Sequence, residues 1–160
     1  MGSGKSSVGR LIARVLRRRF VDTDRLVADH AGRQITDIFA EHGEDWFRRE
    51  ESRALRFLLG VSGLVVATGG GIVTFPENLP ALKKLGFVVW LTADEEVRWE
   101  RVSRNQKRPL LHTENPRETV RALVEKRNPL YKAVADLTVD TSLLTHAQVA
   151  EEICTRVRKL

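Results

Sequence analysis

The chain reads as an α/β fold built on a parallel sheet, and three observations predict it. Short apolar runs alternate with amphipathic stretches; two of the runs, "LVVATGGG" (64–71) and "FVVWLT" (87–92), are apolar almost throughout; and a glycine-rich turn at the start feeds directly into a helical pattern. Strands that alternate with helices favour crossover units. Parallel strands, covered on both faces, read as continuous apolar runs rather than alternating ones.

Each element has its own local reason. Val8, Leu11, Ile12, Val15 and Leu16 recur at helical spacing, which predicts a helix over 5–18 with one buried stripe. "FVDTD" (20–24) follows as a strand, and 24–59 is helical with breaks at Gly32 and Gly43. The two apolar runs are buried strands, and the more polar "DLTVDT" (136–141) is a strand nearer an edge. Asn115 with Pro116 and Glu118 opens one helix, and "THAQ" (145–148), a Thr-x-x-Gln capping box, opens the last. No repeat, low-complexity run or linker divides the chain, so one domain over 1–160 is expected.

Composition narrows the function classes. A length of 160 residues with 42% apolar content is enough for a sizeable core. Of the formal charge of +6, all is local: residues 1–20 carry six basic side chains and no acid, while the remaining 21 basic and 21 acidic residues cancel. That confinement, with aromatics at only 6%, weighs against a nucleic-acid partner. The single cysteine, Cys154, cannot form an internal disulfide and suits a reducing compartment. No apolar run approaches membrane-spanning length and no apolar signal core precedes the helix, so a cytoplasmic protein without a membrane partner is expected, and a monomer.

In open parallel sheets ligands bind beyond the carboxyl ends of the strands. "GSGKSS" (2–7) fits the later part of the G-x-x-x-x-G-K-[ST] phosphate loop, in which backbone N–H groups wrap phosphates, the lysine reaches the terminal phosphates and the hydroxyl meets Mg²⁺. "DTD" places Asp22 and Asp24 on one side if the strand persists; in isolation the pair reads equally well as a turn and a helix cap. "TGGG" (68–71) lets backbone approach a ligand with no side chain between. Together they describe a pocket for phosphates, a metal and a hydroxylated compound. Arg17, Arg18 and Arg19 read as a solvated helix end, His30, His42, His112 and His146 lack metal-ligand spacing, and Cys154 reads as packing.

In this order, "GSGKSS", "DTD", "IFAEHGEDWFRREE" (38–51), "TGGG", "RPLL" (108–111), "RNPLY" (127–131) and "ADLTVDT" (135–141) resemble the shikimate kinases, small P-loop kinases of the aromatic amino-acid pathway, over essentially the whole chain. The resemblance implies a three-layer α/β/α P-loop fold with strand order 2-3-1-4-5. It also implies ATP-dependent phosphorylation of the 3-hydroxyl of shikimate, giving 3-phosphoshikimate and ADP. By the same resemblance Gly2, Ser3, Gly4, Lys5, Ser6 and Ser7 hold ATP, with Lys5 on its β and γ phosphates, and Ser6 with Asp22 holds Mg²⁺. Asp24 meets the accepting hydroxyl and is the candidate base. Arg48 and Arg127 clamp the substrate carboxylate, a task that suits the directional donors of arginine, while Gly69, Gly70 and Gly71 offer backbone and Glu51 steadies an arginine. Arg108, catalytic and ATP-binding, falls in a segment, 106–115, that resembles the family's lid, and Arg101 matches a position near adenine.

Two departures from the family pattern carry expectations of their own. Where the family has a basic residue and a proline after "VDT", this chain has Leu143, Leu144, Thr145 and His146, which implies apolar or backbone contacts to adenine. The family's first strand and the opening glycine of the cradle lie upstream of Met1, in the middle of the sheet. Burial at about 25 cal/mol per Å² makes such a strand comparable in worth with a domain's net stability, so a chain without it is expected to fold poorly and lose activity. A strand and its loop amount to roughly ten residues, expected ahead of Met1 in the native protein, and intact mass tests this. Two other classes remain in view. A gluconate-type kinase shares the cradle but not "FRREE", "TGGG" and "RNPLY" together, and a non-enzymatic nucleotide- or RNA-binding protein would use the basic first helix.

Overall fold

Residues 2–104 and 113–159 are described by the structure, a computed structural model. The glycine turn passes straight into helix α1 (Lys5–Val15), whose N-cap, Gly4, sits in the left-handed region at φ 79°. There follow β1 (Arg19–Asp22), α2 (Thr23–Ala31), α3 (Ile35–Leu58), β2 (Leu64–Ala67), a 3₁₀ turn (Ile72–Thr74) and α4 (Asn78–Leu85). The chain continues through β3 (Val89–Thr92), α5 (Glu95–Ser103), α6 (Pro116–Val134), β4 (Leu137–Asp140) and α7 (His146–Val157).

All strand pairing is parallel. β1 lies beside β2, with Arg19 opposite Leu64 and Asp22 opposite Ala67; β3 lies beside β4, with Val89 opposite Leu137 and Thr92 opposite Asp140. These are the pairs that the order 2-3-1-4-5 contains apart from its first strand. Alternation along the strands then sorts side chains between two helical layers. Val65, Val89, Leu91, Leu137 and Val139 pack with Val8, Ile12, Val149 and Ile153 of α1 and α7. On the opposite face Leu55, Ile72, Val73, Leu82 and Val134 join α3, α4 and α6, and Trp90, between Val89 and Leu91, stacks on Tyr131 of α6 at 5.7 Å between ring centres. A third cluster, Val27, Ile38 and Phe47, fixes α2 against α3. No described helix is long and apolar enough to cross a membrane.

Several boundaries differ from the sequence expectation for identifiable reasons. β1 ends at Asp22, because the Asp22 carboxylate accepts the backbone N–H of Asp24 at 3.1 Å and caps α2. Asp22 and Asp24 therefore belong to a cap and a first helical turn rather than to one strand face. α1 stops at Val15, three residues early, and Arg17 takes a positive φ of 52° in the turn that follows. β2 and β3 are mostly half-buried instead of fully buried, since among the described residues each is paired along one edge. The breaks at Gly32 and Gly43 and the Thr145–Gln148 capping box fall where the sequence puts them.

Candidate active site

The start of α1, the loop after β2, strand β3 and one face of α6 meet around a cavity of about 280 Å³ whose lining includes Ser3, Lys5, Thr68, Gly70, Trp90 and Arg127. Its end at the start of α1 is largely backbone. The first turn of a helix has N–H groups without intrahelical partners and a partial positive charge, the two requirements for holding phosphate. Gly4 makes the approach possible: besides its positive φ, a Cβ there would stand 2.8 Å from Nε2 of His146, the first residue of α7. Ser3 is buried, Gly2, Lys5 and Ser6 are half-buried, and Ser7 is exposed. Ser6 Oγ donates to Asp22 Oδ2 at 2.6 Å, so the phosphate loop and the cap of α2 meet through two oxygens. Oxygen donors of this kind suit Mg²⁺, and among the described residues no group of three His, Cys, Asp or Glu forms a cage. A Mg²⁺ held by Ser6 and Asp22 would take its other ligands from phosphate and water.

Arg101 lies at the back of this loop. Its guanidinium donates to Thr141 Oγ1 at 2.9 Å, to the Thr141 carbonyl at 2.8 Å and to the Gly2 carbonyl at 3.4 Å. It thereby ties the residue after β4 to the start of the phosphate loop.

The loop after β2 forms the middle of the cavity, and side chains crowd it closely. Gly69 N–H donates to Thr23 Oγ1 at 3.0 Å, and the Gly70 carbonyl accepts the Tyr131 hydroxyl at 2.8 Å. A Cβ on Gly69 would fall 1.9 Å from Glu51 Oε1 and 2.3 Å from Asp24 Oδ1; one on Gly71 would fall 2.2 Å from Arg48 Cζ. With these three side chains where they stand, a Cβ at Gly69 or Gly71 would force them to move, so both glycines are packing positions as well as flexible ones.

At the far end two buried arginines converge, Arg48 at 7% and Arg127 at 6% exposure. Arg48 donates through Nε and Nη2 to Glu44 Oε1 at 3.1 and 2.9 Å, and through Nη1 to Glu51 Oε2. Arg127 Nη2 is 4.0 Å from the same Glu44 oxygen, and Arg127 Nε is buried without a partner. Burial works against the Arg48 charge, but Glu51 and Glu44 outweigh it and raise its pKa. Burial and then the like charge of Arg48 lower the pKa of Arg127. Two desolvated cations, one of them with an unused donor, can receive an anion, and a carboxylate matches their planar forks.

Lys5, Gly70 and Arg127 line the cavity; Asp24, Arg48, Gly69 and Gly71 crowd together around the loop that carries Gly70, and Ser6 pairs with Asp22 at the start of α1. Arg108, with residues 106–112 of the expected lid, lies outside the described residues. Four contributors had not been singled out. Glu44 precedes Arg48 by four residues and Tyr131 follows Arg127 by four, a spacing that puts each pair on one helical face and was available in the sequence. Thr23 and Thr141 gave no such signal, because their partners, Gly69 and Arg101, are distant in the chain. His146, read as a solvated histidine, is exposed yet lies against Gly4.

Known proteins resemble this chain in sequence and in fold. The family model for shikimate kinase matches residues 1–158. A shikimate kinase of Actinobacillus pleuropneumoniae serotype 5b is 43% identical over 153 residues, covering 96% of this chain and 88% of the relative. One from Geobacter sulfurreducens is 47% identical over 159 residues, covering 99% and 87%. Among solved structures, the shikimate kinase of Acinetobacter baumannii in complex with shikimate superposes with a TM-score of 0.95 at 38% identity, covering 99% of this chain and 89% of that one. The enzyme of Aquifex aeolicus superposes with a TM-score of 0.84 at 33% identity, covering 99% and 92%.

Proposed function

Because the chain belongs to the shikimate kinase family, we infer that it transfers the γ-phosphoryl group of ATP to the 3-hydroxyl of shikimate, releasing ADP and 3-phosphoshikimate in aromatic amino-acid biosynthesis. One observation supports the reading: Ser3 and Lys5 of the phosphate loop and the buried Arg127, with its unused donor, line a single cavity, and Asp24 and Arg48 crowd Gly69 and Gly71 on either side of its lining residue Gly70. A ligand spanning it needs a carboxylate at one end and a hydroxyl near a phosphoryl donor at the other.

Phosphoryl transfer rests mainly on positioning and on neutralising charge. Arg48 and Arg127 grip the substrate carboxylate and so set the distance of the ring from the nucleotide. The backbone of Gly69, Gly70 and Gly71 supports the ring, and Tyr131 holds that backbone through Gly70. Asp24 accepts a hydrogen bond from the 3-hydroxyl, orients it and takes its proton as the new P–O bond forms. The loop from Gly2 to Ser7 wraps the phosphates, and Lys5 offsets charge on the γ-phosphoryl group. Mg²⁺, held by Ser6 and Asp22, would shield the phosphate oxygens from the incoming nucleophile. Arg108 would close over ATP from the lid segment, and Arg101 acts beside adenine while bracing Gly2. The reading includes a single domain over 1–160, working as a cytoplasmic monomer.

The test offers the purified protein Mg·ATP with shikimate, quinate and gluconate in parallel and follows ADP release. Release with shikimate, and none above background with gluconate, is expected. Preference for gluconate would transfer the assignment to sugar-acid kinases.

A further inference from the structure

Glu51 has no exposure to solvent. Its Oε2 accepts from Arg48, but its Oε1 is buried with no partner, and Asp24 Oδ1 is buried with no partner as well. The two orphaned oxygens flank the same point beside Gly69, 1.9 and 2.3 Å from the position its Cβ would occupy, so the two carboxyl groups are close neighbours, and Asp24 acts directly on Glu51. Ionised carboxylates only accept hydrogen bonds, and two of them side by side in a desolvated site are mutually unfavourable. A single proton between them satisfies both oxygens.

We propose that Glu51 is a positioning residue that keeps a proton in the substrate-free site, donating from Oε1 to Asp24 Oδ1 while Oε2 accepts from Arg48. The inference rests on the reading that Asp24 receives the substrate hydroxyl. The donated hydrogen bond fixes the orientation of Asp24 and leaves its Oδ2 for the hydroxyl. One neutral carboxyl thus couples the hydroxyl-binding acid to the carboxylate-binding arginine. The groups facing Glu51 agree with this. Burial is the main influence and raises its pKa; Arg48, on its own helix, pulls it down; Asp24, from α2, raises it; the outcome is about 8. Arg127 and Tyr131 face the same cluster from α6. Below that pH Glu51 is neutral and donates; above it a second anion stands beside Asp24 and the alignment is lost.

Glutamine copies the protonated state, with an amide N–H for Asp24 and a carbonyl for Arg48. Carbon-13 NMR of the protein labelled at glutamate Cδ is expected to reveal one carboxyl titrating near 8 that vanishes in Glu51→Gln. Glutamates that all titrate below 6 would overturn the proposal, and this readout needs no turnover. In the ADP-release assay, wild-type kcat/KM for shikimate should fall above pH 8, whereas Glu51→Gln should stay within about threefold of wild type at pH 7 and lack that basic limb. A basic limb unchanged in Glu51→Gln, or a hundredfold loss at pH 7, would overturn it too. Wild-type protein that turns over gluconate but not shikimate would instead remove the functional reading, leaving the NMR titration to decide the carboxyl's state.

Discussion

The two ends of the cavity are built in contrasting ways. At the arginine end the functional groups are long side chains, buried and already paired within the protein: Arg48 with Glu44 and Glu51, Arg127 beside Glu44. At the phosphate end they are backbone N–H groups and short, half-exposed side chains, braced by single contacts such as Ser6 to Asp22 and Arg101 to Gly2. Prearranged, desolvated charges discriminate among ligands because an ill-fitting one leaves them unpaired. A helix start, by contrast, accepts phosphate of any origin. On the proposed reading, selectivity for the acid is built into side chains, whereas the start of α1 supplies a general grip on phosphate.

Substitutions that act on one end only can break this contrast. The largest effect is expected where the ends meet. Asp24→Asn should lower kcat by about 10²–10⁴-fold while dissociation constants for ATP and shikimate, measured by calorimetry, change little. Unaltered turnover would remove Asp24 from the chemistry. At the arginine end, Arg127→Ala should raise KM for shikimate about 10–100-fold through loss of a charged hydrogen bond, with the ATP dissociation constant unchanged. A parallel loss of ATP affinity would erase the division.

Gly4→Ala is the reciprocal experiment. Forcing a Cβ against His146 at a positive φ should weaken ATP binding about tenfold and leave shikimate binding intact. Smallest is Glu44→Gln. With its charge removed, Arg48 and Arg127 face each other with less compensation, and KM for shikimate should shift severalfold, more strongly at low salt than at high. An effect on KM for ATP instead would show that Glu44 serves the other end.

Legibility in the sequence followed the range of the interaction. Helix stripes, the capping box at Thr145 and the breaks at Gly32 and Gly43 are local, and they were readable. The end of β1 was not, because an aspartate after a strand serves equally as strand residue and helix cap, and the backbone N–H of Asp24 decides the matter. Half-burial of β2 and β3 escaped notice for a similar reason: apolar content reports what a strand tolerates, not how many neighbours it has. Among the site residues, Asp24, Arg48 and Arg127 were found through motifs, but no motif shows that Glu51 is wholly buried. A glutamate is solvated by default, and its burial here follows from the meeting of α3, Gly69 and the first turn of α2.

The stack of Trp90 on Tyr131 has a practical consequence. The Tyr131 hydroxyl holds the Gly70 carbonyl, so indole, phenol and ligand-facing backbone form one continuous line from the sheet to the cavity. Any ligand that settles on Gly70 will disturb the phenol and, through it, the environment of the indole. In a variant with Trp46 and Trp99 replaced by phenylalanine, Trp90 emission is expected to change on adding shikimate, and an unchanged spectrum would show that the line from indole to backbone does not reach the ligand.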